Sequence, residues 1–175
     1  MRPRILLPLC IAVLALCTAA LSQDVHTDYD HHVNFSNFHT YSWAHVKTTD
    51  PLWENRITDA VDHELEAKGW RRVPSGGDVA ITAVGSARNQ QEYQTFYNGL
   101  GGGWFWGGFG DTATTSTVNY TVGTLVIDMY DANSKRLIWR GTASKTLSDK
   151  VDKNEKTLEK SVDKMFDHFP PGEKS

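Results

Sequence analysis

The sequence predicts an α+β fold: an antiparallel sheet with two amphipathic helices packed on one face, and a long β-hairpin with a glycine- and aromatic-rich tip. Three observations predict this fold. Two segments repeat apolar residues at helical spacing, several segments alternate apolar and polar residues, and one glycine-rich stretch separates two polar strands. A chain of 175 residues with 39% hydrophobic residues suits one folded domain with a short appendage.

The first 22 residues, 1–22, have the pattern of a secretory signal peptide. Arg2 and Arg4 precede an apolar run, Ile5 to Leu16, that is shorter than the roughly 20 residues of a membrane span. The segment Ala20-Leu21-Ser22 then supplies small residues at the expected cleavage site. We therefore expect an exported protein, periplasmic or secreted.

Cleavage would leave residues 23–175 as a single α+β domain of the cell envelope. Both cysteines, Cys10 and Cys17, lie in the signal, so the mature chain has neither a disulfide nor a thiol nucleophile. The alternative is a lipid anchor on Cys17. Leu16 stands where a bacterial lipidation site normally has a small residue, which favours the cleaved form.

A strand is predicted at the start of the mature chain, where apolar or neutral residues alternate with His26, Asp28 and Asp30. Imidazole and carboxylate groups suit zinc, and His31 and His32 follow at once. Positions spread along one strand face span too far to converge on one ion. We interpret this face as polar and solvated, and we predict no metal site and no cofactor.

The first helix has a signal at each end. Asp50 is its predicted cap, Pro51 suits the first turn and Gly69 its end. Its apolar stripe consists of Trp53, Ile57, Ala60, Val61 and Leu65.

A long hairpin follows the first helix. Residues 78–87 predict a strand, and the polar residues 88–97 extend it. Residues 112–122 predict its partner, which continues beyond Gly123. Residues 98–110 lie between the two polar segments and contain glycines and four aromatic residues, so we place them at the hairpin tip.

The chain then returns through a turn at residues 131–134 and a strand that includes Leu137 and Trp139. In the second helix, Asp152 and Glu155 have the spacing of a capping box. The apolar stripe of this helix consists of Leu158, Val162, Met165, Phe166 and Phe169, and it ends before Pro170-Pro171.

Several spaced motifs, in this order, resemble the bacterial envelope family called domain of unknown function 4136. They are Asp28-Tyr-Asp30, Phe35-Ser36-x-Phe38-x-Thr40-Tyr41-x-Trp43, Leu65-x-x-Lys68-Gly69, Asp78-Val79, Gly123-x-Leu125-x-Ile127-Asp128, Leu137-Ile138-Trp139-Arg140-Gly141 and Phe169-Pro170. The resemblance covers roughly residues 24–171. It implies an exported, often lipid-anchored protein without an assigned activity, so no catalytic residue is carried over. We interpret Tyr41, Trp43 and Trp139 as core residues.

The sequence favours a non-enzymatic function. It contains no Gly-x-Ser-x-Gly elbow, His-Glu-x-x-His motif or Walker loop. A net charge of -3 argues against nucleic-acid binding through overall positive charge. The predicted contact residues are the aromatic residues of the tip, for which water is a poor environment: Trp104, Phe105, Trp106 and Phe109. We expect the tip to meet a membrane surface or an envelope protein. The alternative is a periplasmic small-ligand or metal-binding protein that uses a cleft near His26 and Asp28.

Overall fold

The structure, a computed structural model, describes the backbone of residues 24–97 and 113–171 and the side chains of residues 24–91 and 119–171. The predicted signal peptide and the predicted tip lie outside the described residues. The elements, in chain order, are β1 (Asp24–Tyr29), a 3-10 turn (Phe35–Asn37), β2 (Thr40–Thr48), α1 (Leu52–Ala67), β3 (Arg71–Arg72), β4 (Val79–Tyr97), β5 (Ala113–Asp131), β6 (Leu137–Thr146) and α2 (Val151–Phe166).

The strands form one sheet in the order β1-β6-β5-β4-β2-β3, and both helices pack against it. The α+β class is confirmed, but the expectation of an antiparallel sheet is wrong in part. Strand β2 runs parallel to β4 and to β3, whereas the pairs among β1, β6, β5 and β4 are antiparallel. The physical reason is α1, which lies between β2 and β4 in the chain and returns it to the same end of the sheet.

Helix α1 follows the local signals of its sequence. An Asp50 carboxylate oxygen accepts a hydrogen bond from the Leu52 amide at 3.0 Å, which satisfies one of the free donors of the first turn. At the other end Gly69 adopts a φ of 82°, a left-handed conformation that ends the helix and favours glycine. Ile57, Val61 and Leu65 are buried, as the stripe predicted.

Helix α2 begins differently from the prediction. It starts at Val151, and Asp152 lies within its first turn instead of capping it. The Asn154 side chain instead accepts a hydrogen bond from the Ser148 amide at 2.8 Å and donates one to the Ser148 carbonyl at 2.7 Å. In place of the predicted capping box, these two hydrogen bonds hold the helix to the preceding loop; we call them the Asn154 clamp. The predicted apolar stripe is confirmed, with Leu158 partly buried and its other members buried.

Rings fill the core near the C-terminal ends of the two helices. We call this region the aromatic end; its members are Phe35, Phe38, Trp70, Trp139, Phe166 and Phe169. The centroids of Trp139 and Phe166 lie 5.0 Å apart, and those of Trp70 and Phe169 lie 5.2 Å apart. Such tilted and edge-to-face contacts add to the energy of burial. Trp139 and Tyr41 are buried and Trp43 is partly buried, so their interpretation as core residues is confirmed.

Strands β4 and β5 continue past the body of the protein as an antiparallel pair. We call residues 89–97 and 113–121 the arm; their register runs from Asn89–Thr121 to Tyr97–Ala113. The ladder from β2 to β4 ends at Gly85, and that from β6 to β5 ends at Val122. At about 3.3 Å per residue the arm is roughly 30 Å long. The predicted long hairpin is therefore present up to the point where the tip begins.

Candidate functional site

A polar cluster is centred on Asp62, a buried carboxylate of α1. Asp62 accepts hydrogen bonds from the Tyr41 hydroxyl at 2.8 Å, the Trp43 indole at 2.9 Å and the Arg72 guanidinium at 2.6 Å. Burial raises the pKa of Tyr41 far above its usual range, and its hydrogen bond to Asp62 adds to this effect. The cluster ties α1 to β2 and β3, and each of its groups already has a partner, so we assign it a structural role.

The residues of the metal hypothesis do not converge. His26 pairs with Asp24 at 2.7 Å, and both side chains are exposed. At the opposite end of β1, Asp30 accepts one hydrogen bond from the His32 amide and another from the Arg136 guanidinium. Within the part of the chain that the structure describes, no three histidine, cysteine or acidic side chains lie close enough to hold an ion.

The face of the sheet opposite the helices carries an ion pair between neighbouring strands. Arg140 of β6 donates two hydrogen bonds to Asp128 of β5, from Nε at 2.6 Å and from a terminal nitrogen at 2.7 Å. This contact raises the pKa of Arg140. The Tyr130 hydroxyl also reaches Asp128, at 3.3 Å. These groups satisfy one another, so we interpret them as stabilising the strand pairing.

The predicted contact residues Trp104, Phe105, Trp106 and Phe109 lie outside the described residues. The structure does describe the base of the arm that leads to them. There the Thr121 hydroxyl donates a hydrogen bond to Asn89 at 2.8 Å, and the Tyr120 hydroxyl donates one to Gln90 at 3.2 Å. Both pairs join the two strands of the arm through polar side chains, as expected for a solvated segment.

An apolar pocket lies where the N-terminal ends of both helices face the sheet, next to the base of the arm. Its volume is about 230 Å³. Its walls are apolar side chains from both helices, the sheet and the loop after β6: Trp53, Ile57, Leu125, Leu147 and Leu158. Its rim is polar and includes Thr48, Asp50, Lys145, Asn154 and Thr157. We call this region the pocket end, because it lies opposite the aromatic end.

The floor of the pocket consists of two neighbouring rows of residues across β4, β5 and β6. One row is Gly85, Leu125 and Ala143, and the next is Ala87, Gly123 and Lys145. Four of these six positions are glycine or alanine, so few side chains rise from the sheet there, and those of Leu147, Thr48 and Ile57 pack onto the two glycines. With strands about 4.8 Å apart, each row spans roughly 10 Å.

The two glycines of the floor lie directly under neighbouring side chains. Neither has a positive φ. A Cβ atom at Gly123 would lie 2.7 Å from the Leu147 side chain, and one at Gly85 would lie 3.2 Å from the Thr48 methyl group. Leu147 and Thr48 therefore rest directly on the sheet backbone and form parts of the pocket wall. The sequence patterns did not predict this pocket, although the small residues Gly85 and Ala87, in the inward phase of a strand, were a signal for it.

The fold and the pocket define a class of protein: a mixed six-stranded sheet with two helices on one face, and a small apolar cavity at one end of the interface. The profile of the family called domain of unknown function (DUF4136) matches residues 25–171. The chain belongs to this family, as the motifs indicated. No curated protein sequence matches the chain.

Several solved structures are similar to this chain. A PDZ domain protein from Parabacteroides distasonis aligns at 16% identity with a TM-score of 0.58, covering 87% of this chain and 37% of its own. The chain thus spans little more than a third of that protein, and the likeness shows a shared fold. The PelC dodecamer from Paraburkholderia phytofirmans aligns at 12% identity with a TM-score of 0.49, over 82% of this chain and 94% of its own. Lipoprotein GNA1162 from Neisseria meningitidis aligns at 12% identity with a TM-score of 0.41, over 74% and 99%.

Neither α1 nor α2 has the length and apolar character of a membrane span, and the described residues contain no other helix that does.

Proposed function

We propose that this chain is a non-enzymatic protein of the bacterial cell envelope that contacts a lipid membrane surface through residues 98–110 at the end of the arm. The observation that supports the proposal is the arm itself. Two paired strands leave the body and run roughly 30 Å without a third strand beside the described ladder. A body that supports such an arm can hold the tip away from its own core.

The composition of the tip supports a membrane surface as the contact. Residues 98–110 contain two tryptophans and two phenylalanines but no charged residue. Transfer of each of these aromatic side chains from water to an apolar environment is favourable by about 1.5–3 kcal/mol. Tryptophan is enriched at the membrane–water interface, where its ring is apolar and its N–H group still finds a partner. Protein interfaces, in contrast, surround aromatic anchors with polar and charged groups and favour arginine.

The test is flotation of the purified protein with phosphatidylcholine vesicles, with and without phosphatidylglycerol. We expect the wild type to float with both kinds of vesicle, since the proposed contact is uncharged. A variant with Trp104, Phe105, Trp106 and Phe109 changed to Ser should lose most of this binding and keep the melting temperature of the wild type. The matched control is Leu52→Ser, which removes an exposed apolar side chain from the body and should leave flotation unchanged.

Two results would contradict the proposal. One is unchanged flotation of the tip variant; the other is unfolding of that variant, which would make the tip a part of the core. If the wild type does not float but crosslinks to an envelope protein through the tip, the contact is a partner protein.

The alternative of a metal-binding protein is tested by the melting temperature with and without zinc and by the metal content of the purified protein. We expect neither a bound metal nor a shift with zinc, because His26 and Asp28 lie on a strand face without a third converging ligand among the described residues. A stoichiometric metal that disappears in the variant His26→Ala would support the alternative. The small-ligand form of this alternative gains support from the pocket, although the pocket is not beside His26 and Asp28.

A further inference from the structure

We propose that the pocket binds the hydrocarbon chain of a fatty acid, with its head group at the polar rim. This inference rests on the described geometry of the pocket and does not depend on the proposed contact of the tip with a membrane.

The size of the pocket selects a small ligand. A volume of about 230 Å³ exceeds the roughly 150 Å³ of an apolar cavity that stays dry and binds benzene. It is below the range of about 300–1,000 Å³ that is usual for drug-sized ligands. The pocket therefore suits part of a single chain or one small ring, and it excludes a bulky cofactor.

The uneven lining of the pocket favours a flexible chain over a rigid ring. The floor spans roughly 10 Å across three strands, and Leu125 and Leu147 rise between the small residues of its two rows. Trp53 and Ile57 bound the pocket on the α1 side and Leu158 on the α2 side. A hydrocarbon chain can bend around these side chains and contact floor and walls together, whereas a rigid ring would contact only a part of them.

The distribution of polar groups indicates an amphiphile. The exposed surface of the lining is almost entirely apolar, whereas the rim residues carry hydroxyl, amide, carboxylate and ammonium groups and are at least partly exposed to solvent. Asp50 already caps α1 and Asn154 already clamps Ser148, so the rim is held in place by contacts within the protein. A ligand with an apolar chain and one polar end matches this arrangement, because its end remains at the solvated rim.

The test is competition of fatty acids against a dansylated fatty acid bound to purified, delipidated protein. We compare hexanoate, octanoate, decanoate, laurate and palmitate. Each additional methylene that enters the pocket should raise the affinity about fourfold. The affinity should then reach a plateau, because further methylenes remain outside. Decanol and decylamine, compared with decanoate, measure the contribution of the head group.

Two variants of the same strand provide the matched comparison. Ala87 is exposed at the mouth of the pocket, and Ala87→Phe should lower the affinity about tenfold, the equivalent of roughly two buried methylenes. Val84 is 48% exposed on the opposite face of β4, and Val84→Phe adds the same ring there. This control should bind like the wild type. If Ala87→Phe does not fold, Ala143→Leu narrows the floor from β6 and should also lower the affinity.

Three results would overturn the inference. The first is the absence of saturable displacement by any of the fatty acids. The second is an affinity that rises with chain length without a plateau and is equal in Ala87→Phe and the wild type, as in adsorption to the surface. The third is loss of binding when the four aromatic residues of the tip are changed to Ser, which would place the ligand at the tip.

Discussion

The two ends of the helix–sheet interface differ in how completely their side chains fill it. At the aromatic end, six rings meet at centroid distances of 5.0 to 6.3 Å. At the pocket end, the same two helices leave a cavity of about 230 Å³. One pair of helices over one sheet therefore makes both a close-packed core and an open site.

The difference arises from the size of the inward residues along each strand. On β4 they change from Val79 and Ile81 at the aromatic end to Ala83, Gly85 and Ala87 toward the pocket end. The inward residues of β5 and β6 also lead from large side chains at the aromatic end to Gly123 and Ala143. The sheet face below the helices therefore carries larger side chains at the aromatic end and smaller ones at the pocket end. A binding site can thus be made by removing side-chain volume at one end of a stable interface.

The largest expected effect is at the aromatic end. Phe166 is fully buried between Trp139 and Phe169, so Phe166→Ala leaves a cavity among rings that cannot easily close it. We expect a loss of about 3–5 kcal/mol in the free energy of unfolding, measured by urea denaturation. A loss below about 1 kcal/mol would show that this end is as loosely packed as the other.

The matched change at the pocket end is Leu158→Ala on the same helix. Leu158 is only partly buried and already faces the cavity, so its removal forfeits fewer contacts. We expect a loss of about 1–2 kcal/mol by the same denaturation measurement. An equal loss for Leu158→Ala and Phe166→Ala would contradict the comparison of the two ends.

The smallest expected effect concerns acid stability near the aromatic end. The His39 amide, followed by the Thr40 hydroxyl, donates hydrogen bonds to Asp78 and lowers the pKa of that carboxyl group. The unfolded chain therefore takes up this proton first as the pH falls. The stabilisation is present above the ordinary pKa of aspartate and is lost as the pH drops through the lower pKa of the folded state, below about pH 4.

We expect Asp78→Asn to lower the melting temperature at neutral pH and to flatten its decline in acid. The control is Asp59→Asn, which changes an exposed aspartate of α1 and should leave the wild-type pH profile in place. Identical pH profiles for wild type and Asp78→Asn would show that Asp78 does not contribute to the pH dependence of stability.

Local signals in the sequence predicted most of the fold. Asp50 and Gly69 marked the ends of α1, and alternating residues marked the long strands β4 and β5. The parallel pairing of β2 with β4 was missed, because our prediction treated the strands as joined by turns and gave no weight to the helix between them. The clamp of Asn154 on Ser148 was missed because Asp152 and Glu155 also have the spacing of a cap.

The pocket could not be predicted by the same means. The cavity depends on residues from six strands and helices, and from two loops, that meet only in the fold, such as Trp53, Gly123 and Leu158. Local patterns do not indicate whether helices from distant parts of the chain close over a row of small residues. The tip, in contrast, was predicted from composition alone, since its glycines and aromatic residues are adjacent in the sequence, and it lies outside the described residues.

The short outer strand β3 also limits how copies of this protein can associate. It offers only two residues, Arg71 and Arg72, and both side chains are exposed. A second copy that approached with the same edge would meet two more guanidinium groups and very little backbone to pair with. Growth of the sheet from molecule to molecule through this edge is therefore disfavoured, which protects a β-rich chain from stacking into fibres at this border.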